Sequence, residues 1–133
     1  MRNMEGASSG KLAGLSVLLV EDHVDSAKAM ARLLQSMGHQ VQTAHSIGEA
    51  NTLADTDQFG LLISDLKLPD GSGLDLIKKL RAANPGAKAI AISGFSNESD
   101  LQACKKAGFD THVTKPVDFM QFKAVVESTL RSK

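Results

Sequence analysis

The sequence of 133 residues predicts an α/β fold, a doubly wound, five-stranded parallel sheet of order 2-1-3-4-5 with helices on both faces. Short apolar runs alternate strictly with segments whose apolar residues recur every three or four positions, and five such strand–helix pairs fill the chain. A chain of this length supplies one hydrophobic core, so a second sizeable domain is excluded.

The elements follow from these patterns in order. Residues 1–14 are rich in Gly, Ser and Ala without periodicity, so we expect a flexible leader or linker before a folded domain at 15–131. The apolar runs predict strands at about residues 15–20, 39–44, 59–64, 88–92 and 110–113. The helical periodicity predicts helices at about residues 24–37, 47–54, 74–83, 97–107 and 119–130. Breakers and caps separate them, notably Gly38, Ser46 and the Asn84-Pro85-Gly86 cluster.

Composition excludes several classes of function. Fifteen basic residues balance fifteen acidic residues, so the net charge gives no reason to expect nucleic-acid binding. No apolar run approaches the ~18 residues that a membrane-spanning helix needs, so we expect no membrane contact. The single cysteine, Cys104, cannot form an intrachain disulfide, which favours a cytoplasmic location.

Polar residues occupy the ends of four predicted strands. Glu21 and Asp22 follow the first strand, Asp65 the third, Ser93 the fourth and Lys115 the fifth. The carboxyl ends of parallel strands share one sheet edge, so these groups should converge there. Three carboxylates against one ammonium leave surplus negative charge, and oxygen-only ligands favour Mg²⁺ over Zn²⁺. The pattern therefore predicts a site for Mg²⁺ and a phosphoryl group.

The segment from Asp65 to Gly73 is similar to the phosphorylation loop of the receiver domains of two-component response regulators. Pro69 stands four residues and Gly73 eight residues after Asp65, as in that family. The resemblance covers about residues 15–131 and implies a flavodoxin-like sheet. It also implies that Asp65 accepts a phosphoryl group from the phosphohistidine of a sensor histidine kinase or a histidine phosphotransfer protein. Glu21, Asp22, Asp65 and the Lys67 carbonyl would hold Mg²⁺.

The resemblance assigns the remaining site residues as well. Lys115 would neutralise phosphoryl charge, and the Ser93 hydroxyl would bind a phosphoryl oxygen after transfer. His112 stands where the family usually has Tyr or Phe as the switch residue, so the resemblance implies that His112, together with Ser93, would act as the switch here without the usual aromatic side chain. The family also places a cis peptide bond at the position of Lys115-Pro116. The domain would catalyse its own phosphorylation and dephosphorylation, without a separate enzymatic output domain in this sequence.

Several alternatives compete with this interpretation. A flavodoxin-like cofactor binder needs a Ser/Thr/Gly-rich loop after the first strand, and a haloacid-dehalogenase-like phosphatase needs its nucleophilic Asp there, with a second Asp two residues later. Neither matches Glu21-Asp22. A degenerate receiver that acts as an interaction module stays open. Within the family, the domain could act as a stand-alone carrier or belong to a hybrid sensor kinase, which we favour.

The histidines outside the switch position are expected to have no chemical role. His23 lies beside the acidic pair, but no cysteine or second histidine stands at zinc-ligand spacing, so it is predicted to be an exposed residue at a helix start. His39 and His45 are predicted to be surface residues that flank the second strand.

Overall fold

The computed structural model describes residues 14–94 and 98–131. The strands of this part are β1 (Ser16–Val20), β2 (Gln40–Ala44), β3 (Leu61–Asp65), β4 (Lys67–Leu68), β5 (Gly71–Ser72), β6 (Lys88–Ser93) and β7 (Thr111–Thr114). The helices are α1 (Val24–Ser36), α2 (Ile47–Thr56), α3 (Gly73–Ala83), α4 (Glu98–Ala107) and α5 (Phe119–Arg131). None of these helices combines the length and the apolar character needed to cross a bilayer.

Five strands form one parallel sheet in the order β2-β1-β3-β6-β7. The strands β4 and β5 form a separate two-stranded antiparallel hairpin and take no part in this sheet. Counted along the chain without them, the five strands of the sheet have the predicted order 2-1-3-4-5. The order reverses beside β1, since the chain passes from β1 outward to β2 and then returns to β3 on the other side. In sheets of this kind the functional site lies at the strand ends near that reversal.

The sheet separates two apolar clusters. Leu18 and Leu62 belong to the cluster that α2, α3 and α4 cover, whereas Val17, Leu19 and Ile63 belong to the cluster that α1 and α5 cover. Neighbouring residues alternate between the clusters because successive side chains of a strand point to opposite faces. The central strands are therefore apolar along their middle, and their polar residues lie at or next to the strand ends.

The element boundaries differ from the predicted ones by one or two residues. The third strand begins at Leu61 rather than Phe59, and the fourth extends to Ser93. The β4–β5 hairpin was not predicted, because two-residue strands leave no periodic signal in a sequence. The leader up to residue 13 and the predicted helix start at residue 97 lie outside the described residues.

The prediction that His39 is a surface residue was wrong. Its side chain is buried, with 4% of the residue exposed. The chain reverses at Gly38, where φ is 96°, and the His39 amide then donates to the Leu34 carbonyl at 3.2 Å. This reversal places the imidazole in the interior before β2 begins.

Candidate functional site

Four strands bring their polar ends to one edge of the sheet. Asp65 and Ser93 are the last residues of β3 and β6, Asp22 follows β1, and Lys115 follows β7. All four residues, together with Lys67, line one cavity of about 390 Å³. Because the strands are parallel, this convergence follows directly from the sheet order.

Three carboxyl groups form the centre of this site. One carboxylate oxygen from each of Glu21, Asp22 and Asp65 lies within 4.8 Å of the other two. Glu21 and Asp65 are buried, with 1% and 5% exposed, whereas Asp22 is exposed to solvent. The cluster thus has two buried members and one that is exposed to solvent.

The Lys115 ammonium lies between two of these carboxylates. Its Nζ donates to Asp65 Oδ2 at 2.5 Å and lies 3.3 Å from Glu21 Oε1. Burial alone would lower the pKa of Lys115, but the hydrogen bond and charge of Asp65 and the charge of Glu21 raise that pKa above its ordinary value. Lys115 is therefore a permanent cation at the site.

Glu21 gives the clearest evidence that the negative charge of the site is incompletely neutralised. Burial raises the pKa of Glu21, against the hydrogen bond that the His23 amide donates to Oε2 at 3.1 Å and against the charge of Lys115. Glu21 Oε1 accepts no hydrogen bond of normal geometry from any described residue, although Lys115 Nζ forms an ion pair with it. A buried oxygen of this kind beside two further carboxylates fits a hard divalent cation.

The backbone around Asp65 is tightly fixed. The Lys67 amide donates to Asp65 Oδ1 at 3.2 Å, and the Leu66 amide donates to the Ile92 carbonyl at 3.0 Å. The first residue of α3, Gly73, packs so closely that a Cβ there would lie 2.5 Å from the Asp65 carbonyl oxygen. The segment around Asp65 is therefore held by its neighbours on both sides.

The other predicted site residues, Ser93 and His112, line two different cavities. Ser93 shares the cavity with Asp65, and its carbonyl accepts a hydrogen bond from the Lys115 amide at 2.8 Å. The Lys115-Pro116 peptide bond is cis. His112 is half-buried and lines a different cavity of about 450 Å³, together with residues of α4 and α5. In this conformation His112 does not line the cavity of Asp65.

Sequence reasoning missed two residues near the site. Asp70 accepts hydrogen bonds from the amides of Ile47 and Gly48, at 2.8 and 2.9 Å. His45 Nδ1 lies 2.9 Å from the Glu21 carbonyl oxygen. Neither pairing has a sequence signal, because the partners lie more than twenty residues apart.

The family model for the response regulator receiver domain matches residues 17–127, which is most of the chain. The chain belongs to this receiver domain family. It is 32% identical over 115 residues to the response regulator protein PilR of Pseudomonas aeruginosa. That alignment covers 86% of this chain but only 26% of PilR, so this receiver corresponds to about a quarter of that protein.

Solved receiver structures share the fold. A CheY-like receiver domain protein from Methanospirillum hungatei is 26% identical, with a TM-score of 0.82, and the match covers 90% of this chain and 95% of that chain. A response regulator from Burkholderia pseudomallei is 28% identical, with a TM-score of 0.78 and coverages of 88% and 69%. The latter structure contains a phosphorylated aspartic acid and a calcium ion.

Proposed function

We propose that Asp65 is the phosphoacceptor of this receiver domain and that a phosphohistidine on a histidine kinase or histidine phosphotransfer protein is the donor. The observation that carries the proposal is the contact between Lys115 Nζ and Asp65 Oδ2, at the end of a central strand and in a cavity of about 390 Å³. A carboxylate is a competent nucleophile when cations nearby neutralise the incoming phosphoryl charge. Such a donor is a cytoplasmic protein domain, and we propose the same compartment for this one.

Mg²⁺ is the cofactor that we propose for this site, held by Glu21, Asp22, Asp65 and the carbonyl of Lys67. The oxygen-only ligand set and the unsatisfied Glu21 Oε1 support this assignment. When bound, the ion would neutralise charge on the phosphoryl oxygens and on the acceptor carboxylate. The bound calcium in the related Burkholderia protein is consistent with a hard divalent cation here.

The proposed transfer is an in-line displacement at phosphorus. A carboxylate oxygen of Asp65 forms the new O–P bond while the N–P bond of the phosphohistidine breaks. The electron pair of that bond stays on the imidazole nitrogen, which then takes a proton from solvent. Lys115 holds the acceptor carboxylate in place and contributes a positive charge beside the reacting oxygens.

After transfer, we propose that the Ser93 hydroxyl donates to a phosphoryl oxygen. Ser93 and Asp65 end two strands that pair with each other and line the same cavity, which supports this role. We retain His112 as the proposed switch residue, and its half-buried position in the separate cavity would correspond to the outward state. Residues 15–131 are the proposed limits of the domain.

The test is intact-mass analysis after incubation with Mg²⁺ and acetyl phosphate. We expect one added phosphoryl group on the unchanged protein and none on Asp65→Asn. The matched control is Asp57→Asn, an exposed acid after α2 whose carboxylate accepts a hydrogen bond from the Gln42 side chain, and it should be phosphorylated normally. A persistent adduct on Asp65→Asn would move the acceptor role elsewhere, and no adduct on the unchanged protein would favour the interaction-module alternative.

A further inference from the structure

We propose that the first turn of α2 and the residue pair before it, residues 45–48, form a brace that positions the two segments carrying the proposed metal ligands. In this proposal Asp70 and His45 are positioning residues, and neither touches the phosphoryl group. The inference rests on the proposed function, because it concerns how the Mg²⁺ site of that function is held.

The first side of the brace fixes the β4–β5 hairpin. Both carboxylate oxygens of Asp70, at the hairpin turn, accept hydrogen bonds from the Ile47 and Gly48 amides. The contact is close, since a Cβ added at Gly71 would lie 3.3 Å from Ile47 Cγ1. The amides that Asp70 binds also have no partner within the helix, because the first N–H groups of a helix lack one.

These two hydrogen bonds are electrostatically favourable. They lower the pKa of Asp70, so its carboxyl group is ionised at neutral pH. An anion at the N-terminus of a helix also interacts favourably with the helix dipole. The hairpin contains Lys67, whose carbonyl is a proposed metal ligand. The Asp70 contact lies only three residues further along the chain, so it restrains the position of that carbonyl.

The second side of the brace fixes the end of β1. His45 Nδ1 lies 2.9 Å from the carbonyl oxygen of Glu21, and because a carbonyl can only accept, Nδ1 carries the proton. The Glu21 amide donates to the Ala44 carbonyl at 3.0 Å. Glu21 is thus held at both its amide and its carbonyl by two consecutive residues that lead into α2.

The brace also has hydrogen bonds of its own. Ser46 Oγ accepts from the Glu49 amide at 3.1 Å, and Glu49 Oε1 accepts from the His45 amide at 2.6 Å. This arrangement resembles a capping box, except that the Glu49 carboxylate binds the amide of His45, one residue before the N-cap Ser46. A single hydrogen-bonded turn therefore connects the segment of Glu21 and Asp22 to the segment of Lys67, although they lie more than forty residues apart in sequence.

The experiment compares Asp70→Ala and His45→Phe with Asp57→Ala as the matched control. Asp57→Ala removes an exposed acid beyond the other end of α2, so it reproduces the charge change of Asp70→Ala without touching the brace. Mg²⁺ affinity is measured by calorimetry. Partners that orient ligands typically change metal affinity by 10- to 100-fold, and we expect a loss of about tenfold for Asp70→Ala and a smaller loss for His45→Phe. Asp70→Asn keeps one acceptor oxygen and should fall between.

A second readout needs no metal. Hydrogen exchange of the metal-free protein should show faster exchange of residues 66–72 in Asp70→Ala and no change there in Asp57→Ala. If the Mg²⁺ affinity and exchange rates of Asp70→Ala equal those of the Asp57→Ala control, the brace proposal is wrong. If the unchanged protein fails to bind Mg²⁺, the proposed function fails, while the exchange measurement still decides whether Asp70 orders the hairpin.

Discussion

Lys115 is the residue on which the electrostatics of the site depend. Among the described residues, its ammonium is the cation paired with the buried acids, and it contacts both Asp65 and Glu21. Its side chain is still 35% exposed, so the pair resembles a partly solvated ion pair more than a buried one. We therefore expect this ion pair to add little to fold stability, which is consistent with the positioning and neutralising role proposed for Lys115.

The substitution Lys115→Ala should therefore preserve the fold while impairing phosphorylation. We expect the rate of adduct formation with acetyl phosphate to fall about 100-fold, the size of effect seen when one charge-stabilising donor is removed from a reacting centre. Time-resolved intact-mass analysis measures the rate, and far-UV circular dichroism checks the fold. Lys79→Ala is the control, because Lys79 forms an exposed ion pair with Asp55 on other elements. Equal rates for the two variants would contradict the role of Lys115.

At the scale of elements, the start of α3 is packed directly against the backbone of β3. A Cβ at Gly73 would lie 2.5 Å from the Asp65 carbonyl oxygen and 2.8 Å from Ser64 Oγ. The carbonyl is backbone and cannot move without shifting β3, which pairs with strands on both sides. The position eight residues after Asp65 thus requires glycine for space rather than for a left-handed backbone conformation.

Gly73→Ala should consequently destabilise the domain. Inserting a methyl group into a packed interior typically costs 1–3 kcal/mol, and we expect a loss of about this size in the free energy of unfolding. Urea denaturation measures it. The control is Gly86→Ala, where the nearest atom to a new Cβ is the Asn84 side-chain oxygen at 3.7 Å, an ordinary contact. The packing argument fails if both substitutions change stability by less than about 0.5 kcal/mol.

The sequence predicted the arrangement of the elements, but it did not predict how closely neighbouring elements approach one another. The sheet order and the convergence of strand ends followed from the strict alternation of strands and helices, because parallel topology leaves few arrangements. The reason for Gly73 and the bonds of Asp70 could not be predicted, since both depend on how closely two elements approach. The burial of His39 was missed because histidine occurs both inside proteins and at their surfaces, and the path of the chain after Gly38 decides which applies here.

At the scale of the whole molecule, two helical layers enclose a sheet whose central strands are apolar. Apart from the acids and hydroxyls around the strand ends, buried polar residues are few among residues 14–94 and 98–131. His39 is one of them, and neither ring nitrogen has a hydrogen-bond partner among the described residues. Burial lowers the pKa of His39, since a charged imidazole there would lose its hydration.

The stability of the molecule should therefore depend on pH through His39. In the unfolded chain the pKa of His39 is about 6.5. Below that pH the imidazole binds a proton in the unfolded state more readily than in the folded state, where its pKa is lower. The contribution of neutral His39 is fully present above pH 6.5 and is lost as pH falls from there through the lowered pKa of the folded state.

Urea unfolding at pH 5.0, 6.0 and 8.0 should show stability decreasing with acidity in the unchanged protein. In His39→Leu, which keeps the other three histidines, this decrease should be smaller. The same pH dependence in both proteins would mean that other groups cause it, because a buried imidazole is the only feature that this substitution removes.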